Sequence, residues 1–269
     1  MSKYPKLKFR VIKYEDEMSG EFAWGEKRYD VFDKFYDLEE ISELTIAINA
    51  LEEIIEDDPE FIDAYNSLGW IELDSFNFGN ALPYFMKGYK IGNKLIPAKF
   101  NGQIQWGWIA NRPFLRAMHG LGMVYLNIQE WDKASRIFKK MLKYNPSDNQ
   151  VVRGLIIQSY IAQGKFKNVL DVCNMYPGDC LPDTLYGSVL AYCKLEKFKL
   201  AEKKLKIAIN ILPNVAKELI KKKHKKIESK FPDSVTVGGE DEAYEYWEQV
   251  GQYWTEPKIL KFIKEGLEN

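Results

Sequence analysis

Cysteine and histidine are scarce in this chain of 269 residues, which holds three cysteines and two histidines. Cys173, Cys180 and Cys193 are odd in number and lack C-x-x-C spacing, so neither a disulfide framework nor a zinc site is predicted. So few nitrogen and sulfur ligands lead us to predict no metal and no cofactor. The cysteine usage fits the reducing cytoplasm.

Long apolar runs and an excess of one charge are also missing. No apolar run approaches the roughly 18 residues of a membrane span, and the first residues have no apolar signal core, so we expect a soluble protein without a membrane partner. Lys and Arg number 38 against 39 Asp and Glu, a net charge of -1. This balance argues against a general nucleic-acid coat, which needs a large positive excess.

Familiar catalytic motifs are absent as well. The sequence has no H-E-x-x-H, no G-x-S-x-G and no phosphate-binding loop ending in Lys-Ser/Thr. A cysteine nucleophile beside His119 is the strongest enzymatic alternative, but Cys173 and Cys193 fall at helix positions expected to be packed. We therefore predict a non-enzymatic protein.

What the sequence does contain is an internal repeat of 34 residues. Leu68-Gly69 is followed by Ala81 and Phe85, and Leu121-Gly122 is followed at the same offsets by Ala134 and Phe138. These residues and their spacing resemble the tetratricopeptide repeat. The resemblance implies an all-α fold, a right-handed α-solenoid of about five helix-pair repeats with a C-terminal helical cap.

The repeats suggest a division of the chain into three parts. We predict an N-terminal arm at 1–27, a solenoid at 28–215, and a basic linker with capping helices at 216–269. The repeat spans are about 28–61, 62–95, 115–148, 150–181 and 182–215, with an insertion at 96–114. Alternating apolar residues predict an extended arm near Phe9, and helical spacing predicts a cap helix over 240–256 followed by another from Pro257.

The insertion is rich in aromatic residues, namely Phe100, Trp106, Trp108 and Phe114. They either fill the junction between repeats or form an exposed recognition loop. Asn111 is predicted to cap the following helix. The run R-P-F-x-R-A at 112–117 and the run N-P-x-D-N-Q-x-x-R at 145–153 resemble a subgroup of tetratricopeptide proteins over about 105–215, for which a structural role is expected.

In stacked helix pairs the first helices line a concave groove, and this predicts a protein or peptide partner. The candidate groove residues mix aromatic, apolar and polar side chains and suit a helix or an extended peptide. They are Asn66, Trp70, Arg116, His119, Met123 and Tyr186. The alternative is that the chain's own N-terminal arm or C-terminal helix fills the groove.

Charge is unevenly distributed despite the neutral total. Residues 30–60 carry a net charge of -11 and residues 194–231 a net charge of +9. The basic patch consists of Lys221, Lys222, Lys223, Lys225 and Lys226. It is interpreted either as the end of a helix, where cations complement the macrodipole, or as a site for RNA, an acidic lipid surface or the acidic end of another copy. The alternative function is thus a nucleic-acid-associated or self-assembling protein.

Overall fold

The computed structural model describes residues 4–15, 17–25, 28–38, 43–229 and 234–268. Within these ranges the chain forms thirteen α-helices and one two-stranded sheet. It divides into two compact units, unit 1 ending at Val152 and unit 2 beginning at Arg153. Each unit is described by itself.

Unit 1 begins with an antiparallel hairpin. Strand β1 spans Lys8–Tyr14 and strand β2 spans Glu17–Ala23. Their register pairs Lys8 with Ala23 at one end and Tyr14 with Glu17 at the other. Glu15 has a φ of 50°, the left-handed conformation typical of tight hairpin turns. The predicted extended arm is therefore the first strand of a hairpin, and this hairpin is the one departure from an all-α fold in the described ranges.

Six helices complete unit 1, and they pack as successive pairs. Helix α3 packs on α4 and α5 on α6, while α4 and α3 both contact α5. Phe85 is fully buried among Leu73, Leu121 and their neighbours. The helices are α1 Tyr29–Asp37, α2 Leu44–Asp57, α3 Ile62–Asp74, α4 Phe78–Leu95, α5 Arg112–Asn127 and α6 Trp131–Tyr144.

Unit 2 contains most of α7, which spans Val152–Ala162, and six further helices. They are α8 Phe166–Met175, α9 Pro182–Lys194, α10 Phe198–Ile211, α11 Pro213–Leu219, α12 Glu240–Val250 and α13 Pro257–Glu268. The cap helix expected over 240–256 ends at Val250 and continues as a 3₁₀ turn at Gly251–Tyr253, where glycine weakens helix continuation. None of the helices in the described ranges is long and apolar enough to span a membrane.

The junction before α7 bonds to the start of this helix. The Asp148 Oδ1 atom accepts a hydrogen bond of 2.7 Å from the Val152 N–H. This bond satisfies one of the free donors at the start of the helix. The Asp148 carboxylate thus holds the first residue of α7 from the junction that precedes the helix.

Candidate functional site

Asn111 ties the insertion to the hairpin. Its Oδ1 accepts a 3.0 Å hydrogen bond from the Phe22 N–H, and its Nδ2 donates to the Gly20 and Gln105 carbonyls at 3.1 Å each. Asn111 is fully buried and makes no capping bond to α5. Asn111 does occupy the predicted N-cap position of α5. Its side chain makes no capping bond because β2 and the insertion already use both of its polar atoms.

The insertion itself lies between β2 and the end of α6. Gln103 pairs with β2 through its backbone, accepting from the Gly20 N–H at 2.7 Å and donating to the Met18 carbonyl at 2.9 Å. The Trp106 N–H donates to Asn145 Oδ1 at 3.3 Å. Phe100 packs edge-on against Phe9. Phe114 is fully buried, and Trp106 and Trp108 are half-buried. These aromatics mainly fill the junction, as the first of the two interpretations predicted.

Two arginines of the R-P-F-x-R-A run approach one indole ring. The Arg112 guanidinium lies 5.2 Å from the Trp106 ring centroid, and that of Arg116 lies 5.8 Å from it. Arg112 also donates from Nε to the Trp106 carbonyl at 3.1 Å. Of these two arginines, only Arg116 has a carboxylate partner within the described part of the chain, namely Asp63 at 3.0 Å. Two cations thus face one counterion, a surplus that favours an anion.

A cavity of about 690 Å³ opens beside these arginines. Its walls come from the hairpin, from α1, from the insertion and from the first turns of α3 and α5. The lining combines cations, two carboxylates and aromatic rings: Arg10, Glu21, Phe22, Ala23, Trp24, Gly25, Phe32, Tyr36, Asp63, Ile109, Ala110, Arg112, Pro113 and Arg116. Its size falls in the range of ordinary ligand pockets.

Asp63 and Asn66 connect α3 to α5 at the edge of the cavity. Asn66 Nδ2 donates to Asp63 Oδ1 and to the Pro113 carbonyl, both at 2.9 Å. Burial raises the pKa of Asp63, although the Arg116 charge opposes the shift. Asn66 is only 2% exposed, so the prediction that it contacts a ligand in the groove is wrong. It holds the two helices together instead.

Trp70, His119 and Met123 lie on the neighbouring turns of α3 and α5. The Trp70 ring packs edge-on against Phe85 at 5.3 Å and lies 5.8 Å from the His119 ring. Burial lowers the pKa of His119 to about 4, so this ring is neutral at pH 7. Trp70 and Met123 are half-buried. Trp70 follows Asp63 by seven residues on α3, and His119 and Met123 follow Arg116 by three and seven residues on α5, so each group lies on one side of its helix. We call the surface that these residues form the α3–α5 face: Asp63, Trp70, Arg116, His119 and Met123.

Tyr186, the groove residue predicted in unit 2, belongs to the core. Its side chain is fully buried, and its hydroxyl donates to the Leu212 carbonyl at 2.7 Å. Tyr246 of α12 and Trp254 pack against its ring. In the same unit, Gln158 of α7 donates to Gln249 of α12. The prediction of a ligand contact at Tyr186 is wrong, because the C-terminal segment covers this position.

Asp183 lies one turn before Tyr186 in unit 2. Its carboxyl group lowers the free energy of unfolding by an amount that depends on pH. Burial raises its pKa to about 6, although Gln158 donates to its Oδ1 at 3.1 Å. The folded state therefore binds this proton more tightly than the unfolded chain, where the pKa is 3.8. Stability at this site is lost as pH rises from about 3.8 to 6 and is constant above that window.

We expect Asp183→Asn to stabilise the protein at pH 7 by up to about 2–3 kcal/mol, because it removes a charge that is half-buried and keeps the acceptor oxygen. The gain should shrink to about 0.3 kcal/mol near pH 3.5, where both states are mostly protonated. Urea unfolding at the two pH values measures it. Asp171→Asn, at an exposed position of α8, is the matched control and should change little. An equal gain at both pH values would contradict the assignment.

A comparison with solved structures finds tetratricopeptide proteins. The crystal structure of YrrB, described as a TPR protein with an unusual peptide-binding site, matches 69% of this chain and 86% of its own, with 18% identity and a TM-score of 0.52. A putative kinesin light chain of Podospora anserina with nearly identical TPR-like repeats matches 71% and 97%, with 11% identity and a TM-score of 0.48. The chain has the tetratricopeptide fold. No protein-family model matches the sequence, and no curated protein matches it.

The tetratricopeptide fold accounts for α3 and α5 but not for the other half of the cavity. Arg10, Glu21 and Trp24 come from the hairpin region, before the first repeat. The repeat pattern does not predict these residues, because it places groove residues only on the first helix of each repeat. The signal that could have found them is the alternation in Glu21-Phe22-Ala23-Trp24, where Phe22 and Trp24 are buried.

The basic patch differs from its predicted setting. Helix α11 ends at Leu219, and the lysines follow it in irregular backbone, so they do not lie within a helix. Lys221 pairs with the buried Glu218 at 2.5 Å, and His224 stacks on Trp247 with ring centroids 3.6 Å apart. The remaining lysines of the patch are exposed. Residues 230 and 231 of the basic segment lie outside the described residues.

The cysteine alternative finds no support in the thiol environments. Burial raises the pKa values of Cys173 and Cys193 to about 12, which disfavours the reactive thiolate. The expectation that both are packed is confirmed. Cys180 is exposed. Across the described ranges no group of three or more His, Cys, Asp or Glu residues could hold a metal ion.

Proposed function

We propose that this chain is a non-enzymatic scaffold that binds a peptide or helix of another protein on the α3–α5 face and in the adjoining cavity. The observation that carries this proposal is that Arg112 and Arg116 both approach the Trp106 ring and also line a cavity that contains several aromatic side chains. Arg and aromatic residues are the side chains that dominate binding energy at protein interfaces.

The chemistry of the face suggests which peptides would bind. The surplus of positive charge at the two arginines favours an acidic residue, while Trp24, Phe32 and half-buried Trp70 favour an apolar neighbour. His119 contributes contact area and no charge at neutral pH. YrrB, which shares the fold, is described as having a peptide-binding site. The cytoplasmic location remains a prediction.

Unit 2 is a poorer candidate for the same role. Its first-helix residues Gln158 and Tyr186 already contact the C-terminal segment through Gln249 and Tyr246. The C-terminal segment of the chain therefore occupies the positions that a helix of another protein would contact. The expected alternative, in which the chain's own elements cover the groove, therefore describes this part of unit 2.

Affinity purification from native lysate tests the proposal with two matched variants. The face variant, Trp70→Leu with Arg116→Gln, keeps apolar volume at the core edge and removes one cation. The patch variant, Lys222→Gln with Lys223→Gln, removes exposed cations elsewhere. We expect a partner protein to be recovered with the wild type and the patch variant, and to be reduced about tenfold with the face variant.

The same experiment decides the alternative function. If recovery disappears on nuclease treatment and with the patch variant, but survives in the face variant, the basic segment binds nucleic acid and the face proposal fails. Circular dichroism melting of each variant separates loss of binding from loss of folding. Sedimentation at several protein concentrations tests the self-assembling form of the alternative.

A further inference from the structure

The outer edges of strands β1 and β2 differ in their backbone hydrogen bonding. On β2, Met18 and Gly20 bond through their backbone to Gln103, and Phe22 bonds to Asn111. These residues therefore point their backbone groups away from β1. Because the ladder alternates, their register partners Lys13, Val11 and Phe9 point their N–H and C=O groups away from β2.

Nothing in the described ranges of the chain pairs with these outward groups of β1. Just before the strand, the Leu7 N–H donates to Glu60 at 2.7 Å, so the protein closes the edge there and leaves it open further along. Val11, Ile12 and Tyr14 are 41%, 40% and 73% exposed. An exposed row of unpaired backbone groups with apolar side chains is a template for another strand.

We propose that the β1 edge binds an extended acidic segment of a partner protein as a third strand of this sheet. This proposal rests on the proposed protein-binding function. It uses none of the residues of the α3–α5 face and shares only Arg10 with the adjoining cavity. Strand addition supplies affinity through backbone hydrogen bonds and specificity through alternate side chains.

Charge identifies the occupant. Within Lys8–Tyr14 the strand carries Lys8, Arg10 and Lys13 and no acidic residue. Acidic side chains on an added strand would sit opposite or diagonal to these cations, which is stabilising across neighbouring strands. A second copy pairing β1 with β1 would instead gather six cations on two adjacent strands. The edge is therefore protected against its own copies and open to an acidic partner.

Amide hydrogen exchange measured by NMR on the full chain gives a residue-specific test. The probe is a synthetic peptide of alternating glutamate and valine, and the matched control peptide alternates lysine and valine. We expect the acidic probe to slow exchange at the outward amides of Phe9, Val11 and Lys13. The amides of Arg10 and Ile12, already bonded to β2, should change little.

Two variants complete the test, with probe affinity measured by fluorescence anisotropy. Val11→Pro removes one outward donor without breaking a bond to β2, and Lys8→Glu with Lys13→Glu reverses two charges; each should weaken binding about tenfold. Unchanged affinity in both, no protection at the three outward amides, or equal binding of the lysine peptide would overturn the proposal. Concentration-dependent dimerisation lost in Val11→Pro would assign the edge to a second copy and also overturn it.

The face and edge proposals fail separately. The Trp70→Leu and Arg116→Gln variant leaves β1 unchanged, so probe binding to the edge should persist in it. Loss of lysate recovery in that variant, with intact probe binding at β1, would support both surfaces. If lysate recovery is intact in the Trp70→Leu and Arg116→Gln variant, and probe binding is lost in Val11→Pro, the face proposal is rejected and the edge proposal is supported.

Discussion

Arg28→Met is expected to cost about 3–5 kcal/mol of unfolding free energy, because it leaves the buried Asp58 carboxylate without its partner. Both side chains of this ion pair are 0% exposed. Arg28 reaches Asp58 from Nε at 2.5 Å and from Nη2 at 3.2 Å, and donates from Nη1 to the Trp24 carbonyl at 2.7 Å. The arginine thus ties the end of α2 to the segment that follows the hairpin.

The neighbouring pair Lys34–Asp57 provides the matched control. It joins α1 to α2 at 3.3 Å, close to the Arg28–Asp58 pair, but its side chains are 60% and 43% exposed. Lys34→Met should therefore cost no more than about 0.5 kcal/mol. Urea unfolding of both variants makes the comparison, and equal costs would contradict the role assigned to Arg28. Arg28→Met with Asp58→Leu should recover much of the loss, because it removes the unpaired charge.

The repeat geometry could be predicted because it depends on local spacing. Leu-Gly pairs at fixed offsets from Ala and Phe predict the helix pairs, and the structure shows why the glycine of each pair is small. A Cβ atom at Gly69 would lie 2.8 Å from the Phe85 ring, and one at Gly122 would lie 2.3 Å from the Phe138 ring. The same 16-residue offset brings the same contact in two repeats.

The candidate site depends on long-range contacts that spacing cannot supply. The capping residue predicted at Asn111 bonds to a strand about 90 residues earlier in the chain. Tyr186 has the position of a groove residue, yet the C-terminal segment buries it. Nothing in the acidic segment distinguishes Asp58, the buried partner of Arg28, from its exposed neighbour Asp57. In each case a distant element decides the role of the side chain.

Phe138→Ala is expected to cost about 3–5 kcal/mol, the range for removing a fully packed aromatic ring. Phe138 is 0% exposed and lies against the backbone of α5 at Gly122. Urea unfolding measures the loss. A cost below about 1 kcal/mol would mean that the two helices of this repeat pack without the ring.

Gly122→Ala then tests whether the Phe138 ring requires a glycine at this position. In the wild type the added methyl group meets the ring at 2.3 Å, so overpacking should cost about 1–3 kcal/mol. In the Phe138→Ala background the space is empty, and the same change should become neutral or gain up to about 1 kcal/mol from helix propensity. Gly79→Ala is the control, since nothing lies within 4 Å of its added Cβ. Gly79→Ala should change the free energy of unfolding equally in both backgrounds. If Gly122→Ala remains destabilising in the Phe138→Ala background, the constraint on Gly122 comes from the backbone of α5 and not from the ring.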